Sequence, residues 1–420
     1  MGIAESKTNR VYLKVFITII LTNIVISKIF GILSSISMGA ALSLLLILIL
    51  VPYGFHVSRR TGKFVKLLFI ASLITLLFCF FKIFLGGFDY QAKVNAFVKI
   101  GMVPFIYFAV LNLNLSKSDI NDIVGYFLKI SLLFSVLGIF QFFYHEQLPQ
   151  FLIEFSLKSL RSDTMYIGDT IIYRSNGLIG NPLEYSFFLL IVQCLSLARY
   201  YSKKEYTYLV VYLVSFIACM TTLSKFAIAA SVLSLIILSF IYNSKRNLLI
   251  IALLILLVTP WISKNYESIL LLNAASERMS FIIGEKDGQK DARYDYAQYA
   301  LEDMSKYPEA LIGYDLGSIT SNTGTAEKRI YDGFWIGLLV EQGIPFFIFY
   351  CFFWIIQLAL SIYLYVNNKN YLVICSMLLT IFLIIGGIVN SAYFNIAVCV
   401  LFYLINGLSM KTYKNEFIAA

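Results

Sequence analysis

The chain has 420 residues, 59% of them hydrophobic and only 14% charged, with a mean hydropathy of +0.80 and a formal net charge of +9. So much apolar surface has no use in a water-soluble core, and apolar runs long enough to cross a roughly 30 Å hydrocarbon layer recur from end to end. Composition therefore excludes a soluble globular class and predicts an all-α, polytopic integral membrane protein that sits in a lipid bilayer.

In chain order, about twelve transmembrane helices are expected, near 11–34, 37–55, 67–87, 96–113, 123–144, 183–199, 207–222, 224–243, 247–263, 334–366, 370–390 and 392–409. Gly343 and Pro345 in "EQGIP" interrupt the tenth. Basic residues collect at alternate connections: Lys7, Arg10 and Lys14; Arg59, Arg60, Lys63 and Lys66; Arg199, Lys203 and Lys204; Lys245 and Arg246; Lys411 and Lys414. With twelve spans all of these fall on one side, which the positive-inside rule makes cytoplasmic, together with both termini. The positive charge is thus a topology signal, and no nucleic-acid partner is expected.

Three stretches follow: 1–263, with nine spans and an outer loop near 145–182; a large outer loop at 264–333; and 334–420, with the last three spans and a cytoplasmic tail. The large loop contains "DARYDYAQYALEDMSKYP", where Tyr296, Ala297, Ala300, Leu301 and Met304 recur at helical spacing. Glu302 and Lys306 form an i,i+4 pair, so this segment is expected to be an amphipathic helix.

Four cations fall on the outer side near membrane level: Arg174, Lys225, Arg293 and Lys99. Each alone reads equally well as a snorkelling charge. Together, at broken helix entrances, they suit an anionic group, because arginine offers a rigid fork for phosphate oxygens and a helix N-terminus adds N–H donors. Asn181 and Pro182 in "RSNGLIGNPLEY" fit an N-cap and a first helical position. Among the acids, Asp332 and Glu341 flank "GFWIGLLV" and Glu184 follows Asn181-Pro182; each is a general-base candidate or simply an arginine partner. Lys28, Lys82 and Lys129 fall within spans and could line a transport path, snorkel or pair.

No Walker A loop, His-Glu-x-x-His or Gly-x-Ser-x-Gly is present, and His56 and His145 are the only histidines. Neither a metal site nor a cofactor is expected. The six cysteines all lie in apolar runs and have no metal or redox spacing.

These patches, in this order, resemble the O-antigen polymerase/ligase superfamily, which includes Wzy-type polymerases and WaaL-type ligases. "GIFQFF" resembles its Gly-x-x-Gln helix, which brings in Gln141. "RSNGLIGNPLEYS" resembles its Arg-x-x-Gly…Asn-Pro entrance, and "TTLSKFA" its Thr-x-Ser-Arg segment, with Lys225 where arginine is usual. "ARYDYAQYALEDMSKYPEALIGYDLGS" resembles its Arg-led helix and glycine turn, and "YDGFWIGLLVEQGIP" its return into the membrane. Ligases carry a histidine in that return; here Asp332 stands nearby and no histidine does, which favours a polymerase.

The resemblance implies a glycosyltransferase of the bacterial inner membrane acting at its periplasmic face. Its substrates would be undecaprenyl-diphosphate-linked oligosaccharide units, joined without a metal, with a chain-length regulator as a possible partner. Arg174 and Arg293 are expected to clamp the diphosphate, with Lys225, Asn181 and Gln141 also contacting substrate and Asp332 serving as base. A ligase moving finished glycan to lipid A-core is the nearest alternative, and a flippase for the same units a second.

Overall fold

A computed structural model describes residues 2–22, 38–55, 62–85, 90–144, 164–167, 170–179, 181–242, 298, 301–302, 304–305, 309–314, 333–389 and 395–419. The protein is an all-α polytopic membrane protein. Six described helices are long and apolar enough to cross a bilayer, and a bent pair makes a seventh. The expected twelve are not reached among the described residues; the span expected at 247–263 lies outside them, as does part of that at 11–34. The chain separates into two compact units, residues 1–126 with 290–420, and residues 127–289.

The first unit opens with α1 (Gly2–Leu21), α2 (Met38–Gly54) and α3 (Lys63–Ile83). Helix α4 (Tyr90–Ala96) runs on into a π-helical turn, Phe97–Met102, and α5 (Phe105–Asn112) follows. Pro104 has no N–H to continue the ladder, and the chain bends by 46° there. The sequence pattern predicts a single span here, near 96–113. The start of α6 (Lys117–Phe143) is held to α1 by charge: Lys14 reaches Asp122 at 2.7 Å, and Arg10 lies 3.6 Å from Asp119.

The same unit resumes with a short turn, α10 (Glu309–Ile312), then α11 (Phe334–Gln342), α12 (Ile344–Asn367), α13 (Tyr371–Val389) and α14 (Ile396–Ala419). The interruption expected at "EQGIP" is present, with Gly343 at φ 80° ending α11. At nine residues α11 is only about 13 Å long, too short to cross a bilayer. Helices α12, α13 and α14 share a buried polar seam. Gln357 donates to Asn406 at 2.8 Å, and Ser376 donates to the same Asn406 oxygen. Apolar burial gives little preference among packings in lipid, and such interhelical bonds help fix one. Of the amphipathic segment, Gln298, Leu301, Glu302 and Met304 are helical. Met304 packs on Val340 of α11, while Leu301, expected on the same apolar stripe, is 65% exposed.

The second unit takes the rest of α6, a β-hairpin and three helices: α7 (Pro182–Lys203), α8 (Tyr206–Thr221) and α9 (Lys225–Ile241). The hairpin pairs β1 (Thr164–Ile167) with β2 (Thr170–Tyr173), with Thr164 opposite Tyr173. It had no counterpart in the sequence reading, since its strands are four residues each. Its second strand delivers the chain directly to Arg174. Helix α7 packs against both α8 and α9 and buries nearly every side chain from Tyr185 to Ala198.

Candidate functional site

The second unit builds its site around the turn that follows the hairpin. Asn176 to Ile179 form a tight turn, with the Ile179 N–H donating to the Asn176 carbonyl at 3.0 Å. Gly177 (φ 54°) and Leu178 (φ 64°) are both left-handed, the geometry of a type I′ turn. Gln141 on α6 fixes this turn. Its Oε1 accepts from the N–H of Gly177 at 2.8 Å and of Asn176 at 3.3 Å, and its Nε2 donates to Asn176 Oδ1 at 3.2 Å. Tyr185 on α7 lies beneath: its hydroxyl donates to the Phe134 carbonyl at 2.7 Å. A Cβ on Gly177 would come within 2.2 Å of the Tyr185 ring, and one on Gly138 within 2.3 Å of its hydroxyl oxygen. Three patches far apart in sequence, Gly138–Gln141, Asn176–Gly177 and Tyr185, are therefore one packed assembly.

That assembly aims Arg174 at the hinge between α8 and α9. A helix leaves its last carbonyls without intrahelical partners, and its C-terminal end carries partial negative charge. Ser175 N–H donates to the Thr221 carbonyl at 3.2 Å, the two hydroxyls meet at 2.5 Å, and Arg174 Nε donates to the Thr222 carbonyl at 2.9 Å. Leu223 follows at φ 52°, and Lys225 then opens α9, whose N-cap residue Ser224 makes no side-chain cap bond. Leu178 and Leu223 are two of the three non-glycine residues with positive φ among the described residues. Left-handed leucine is uncommon and such outliers gather at functional sites. Both arginine and lysine are half-buried.

The structure thus brings Arg174 and Lys225 to one hinge, two residues separating Lys225 from Thr222, whose carbonyl holds the arginine. Gln141 is engaged with the loop backbone. Asn181 is the N-cap of α7, with Pro182 behind it, as its sequence indicates. Its Oδ1 accepts from Glu184 N–H at 2.9 Å while Glu184 Oε2 accepts from Asn181 N–H at 3.0 Å. This reciprocal box closes the helix start with the protein's own carboxylate. The start of α9, beside Lys225, has no such side-chain cap. Arg293 and Asp332 lie outside the described residues. Lys99, half-buried, belongs to the π-helical turn of the first unit.

The first unit holds a second constellation that the sequence reading missed. Lys82, 3% exposed near the end of α3, donates to the Tyr314 carbonyl at 2.8 Å and also to the carbonyls of Ile312 and Glu341. The Tyr314 N–H donates to the Val340 carbonyl at 2.8 Å. Gly313, at φ 69°, approaches so closely that a Cβ there would sit 2.4 Å from the Gly343 nitrogen. Lys82 therefore staples the chain entering from α10 to the end of α11; it is met by backbone and does not line a path. Lys129 is exposed on α6, and Lys28 lies outside the described residues.

What fold and geometry define is a multi-pass helical membrane protein with a cationic hinge at a helix break. Residues 210–351 match a protein-family model described as O-antigen ligase. The match takes in the α8–α9 hinge with Lys225, the positions of Arg293 and Asp332, and the break at Gly343. It begins after Gln141, Arg174 and Asn181. Over this stretch the chain is similar to the O-antigen ligase/polymerase superfamily, whose members are glycosyltransferase-like enzymes of glycan assembly, a likeness common to polymerase and ligase. No curated protein matches the chain.

Proposed function

We propose that this protein is a polymerase of surface polysaccharide, joining undecaprenyl-diphosphate-linked oligosaccharide units at the periplasmic face of the bacterial inner membrane. Both termini are then cytoplasmic. The observation that carries this is Arg174, fastened through Nε to the Thr222 carbonyl at the hinge that presents Lys225. In the reaction, an acceptor sugar hydroxyl forms a bond to the anomeric carbon of the donor unit. The bond from that carbon to phosphate breaks, and undecaprenyl diphosphate leaves with the electron pair. Fixed cations favour this departure because negative charge grows on the leaving oxygens.

Arg174 and Arg293 grip the diphosphate, Lys225 supports them, and the start of α9 offers N–H donors toward the same charge. Asp332 takes the proton of the attacking hydroxyl. Gln141 acts by holding the Arg174 turn, and Asn181 by setting the start of α7. A separate chain-length regulator fits a reaction that has no intrinsic stop.

A ligase moving finished glycan to lipid A-core shares the same family likeness. One experiment separates the two: the surface glycan of a strain lacking the gene, run on a gel beside its lipid-linked pool. A single unit on the core with the ladder gone supports the polymerase. Long polymer retained on undecaprenyl diphosphate supports the ligase. Single units held at the cytoplasmic side overturn both in favour of a flippase.

A further inference from the structure

The break between α11 and α12 contains a buried polar group that the protein itself does not satisfy. Four glutamines are buried among the described residues: Gln141, Gln193, Gln342 and Gln357. Gln141 holds the Arg174 turn through three bonds. Gln193 donates to the Ser215 carbonyl at 3.1 Å, and Gln357 to Asn406 at 2.8 Å. Gln342 is 0% exposed, and neither its Nε2 nor its Oε1 has a hydrogen-bond partner.

The three carbonyls just before it are satisfied. The carbonyls of Leu339, Val340 and Glu341 accept from Gly343 N–H, Tyr314 N–H and Lys82 Nζ in turn. The side-chain amide is what remains. A buried unmatched amide opposes folding, and leucine or methionine would avoid the cost at this position. A polar group kept under such conditions calls for a reason, and a bound guest is one that its chemistry can specify.

An amide is neutral and both donates and accepts. A phosphate oxygen would pair with Nε2 but be repelled by Oε1, and a cation would do the reverse. A hydroxyl, which donates and accepts at one atom, satisfies both ends. We propose that Gln342 is a binding residue for a neutral sugar hydroxyl of the lipid-linked oligosaccharide. This rests on the glycan-polymerising reading above, and it assigns to the first unit a sugar-recognising role separate from the anion-binding role of the α8–α9 hinge.

The test uses the full chain purified in detergent as wild type, Gln342→Met and Gln342→Asn. Thermal unfolding is followed with and without the undecaprenyl-diphosphate-linked oligosaccharide pool extracted from the source strain. Gln342→Met is expected to raise the unfolding midpoint of the ligand-free protein, since it removes an unmatched amide. The same variant should bind the pool roughly 5–10-fold more weakly, the loss of one or two neutral hydrogen bonds. Gln342→Asn should fall between it and wild type in binding.

A Gln342→Met protein that binds the pool as tightly as wild type overturns the proposal, and the amide then holds water at most. A Gln342→Met protein less stable than wild type also overturns it, because the amide would then be a structural group. If wild type itself is not stabilised by the pool, the glycan substrate is wrong and the proposal falls with it. Binding by wild type that Gln342→Met leaves unchanged sinks the Gln342 assignment alone.

Discussion

Arg174 donates through Nε to the main-chain carbonyl of Thr222 at 2.9 Å, joining the turn after the hairpin to the hinge between α8 and α9. The bond uses the one guanidinium nitrogen that lysine cannot imitate, so charge and orientation separate cleanly in mutants. Arg174→Lys keeps the cation but loses the fork and the anchoring bond. Polymer output is expected to fall at least about tenfold, the effect of one charge-assisted hydrogen bond, with protein level unchanged. A gel of surface glycan from cells carrying the variant reads this directly; a normal ladder would remove Arg174 from the site.

Asn181 offers the opposite case. Its side chain is already in the capping box with Glu184, so Asn181→Ala should cost about 1 kcal/mol of stability and leave most activity intact. Asn181→Ser, which can still cap, should restore the loss. Collapse of polymerisation in Asn181→Ser at normal protein level would return Asn181 to direct substrate contact.

Gln141→Leu leaves the N–H groups of Asn176 and Gly177 without their acceptor in a buried place. We expect a loss of about 2–4 kcal/mol, seen as a lower unfolding midpoint in detergent. Polymerisation should fall in parallel, because Arg174 is carried by the same turn. Unfolding at the wild-type midpoint would show that the turn holds itself.

Gly177→Ala tests the same turn from the steric side. The φ of 54° and the Tyr185 ring 2.2 Å from the new Cβ both oppose it. A cost of about 1–3 kcal/mol follows from overpacking alone. Pairing it with Tyr185→Ala, which removes the ring, should recover part of the loss; strict additivity of the two changes would contradict the contact.

Lys82→Met removes one donor from three carbonyls at once, at Ile312, Tyr314 and Glu341. Expression and thermal stability should both drop, by about 3–5 kcal/mol if the buried carbonyls find no substitute. Fluorescence-detected chromatography over a heating series checks it. A variant as stable as wild type would show that the staple adds nothing.

Much of this architecture was legible because apolar runs and their breakers are local signals. Helix ends at Asn181-Pro182 and Gly343 followed from a capping residue and a glycine. The 46° bend at Pro104 was hidden inside a continuous apolar run, where hydropathy gives length but not direction. The hairpin leading to Arg174 was too short to show an alternating pattern. Arg174 and Lys225 were singled out as cations at broken entrances, but their meeting at one hinge depends on Gln141, Tyr185 and Thr222, each contributed by a different helix or its end. Lys82 was counted among possible path residues because its partners lie far downstream. Nothing local marks Gln342 either, since an unmet amide is a property of its surroundings.

The lysine staple also has a consequence for biogenesis. Lys82 lies 230 residues before Ile312 and 259 before the Glu341 carbonyl. At roughly 5–20 residues per second, its partners are synthesised about 12–50 s after it. For that interval α3 carries an unmatched ammonium near one end of an otherwise apolar helix. Its place near the helix end lets the side chain reach the interface while it waits. A chain truncated before Ile312 never supplies the carbonyls, so the same lysine that locks the finished protein marks an incomplete one.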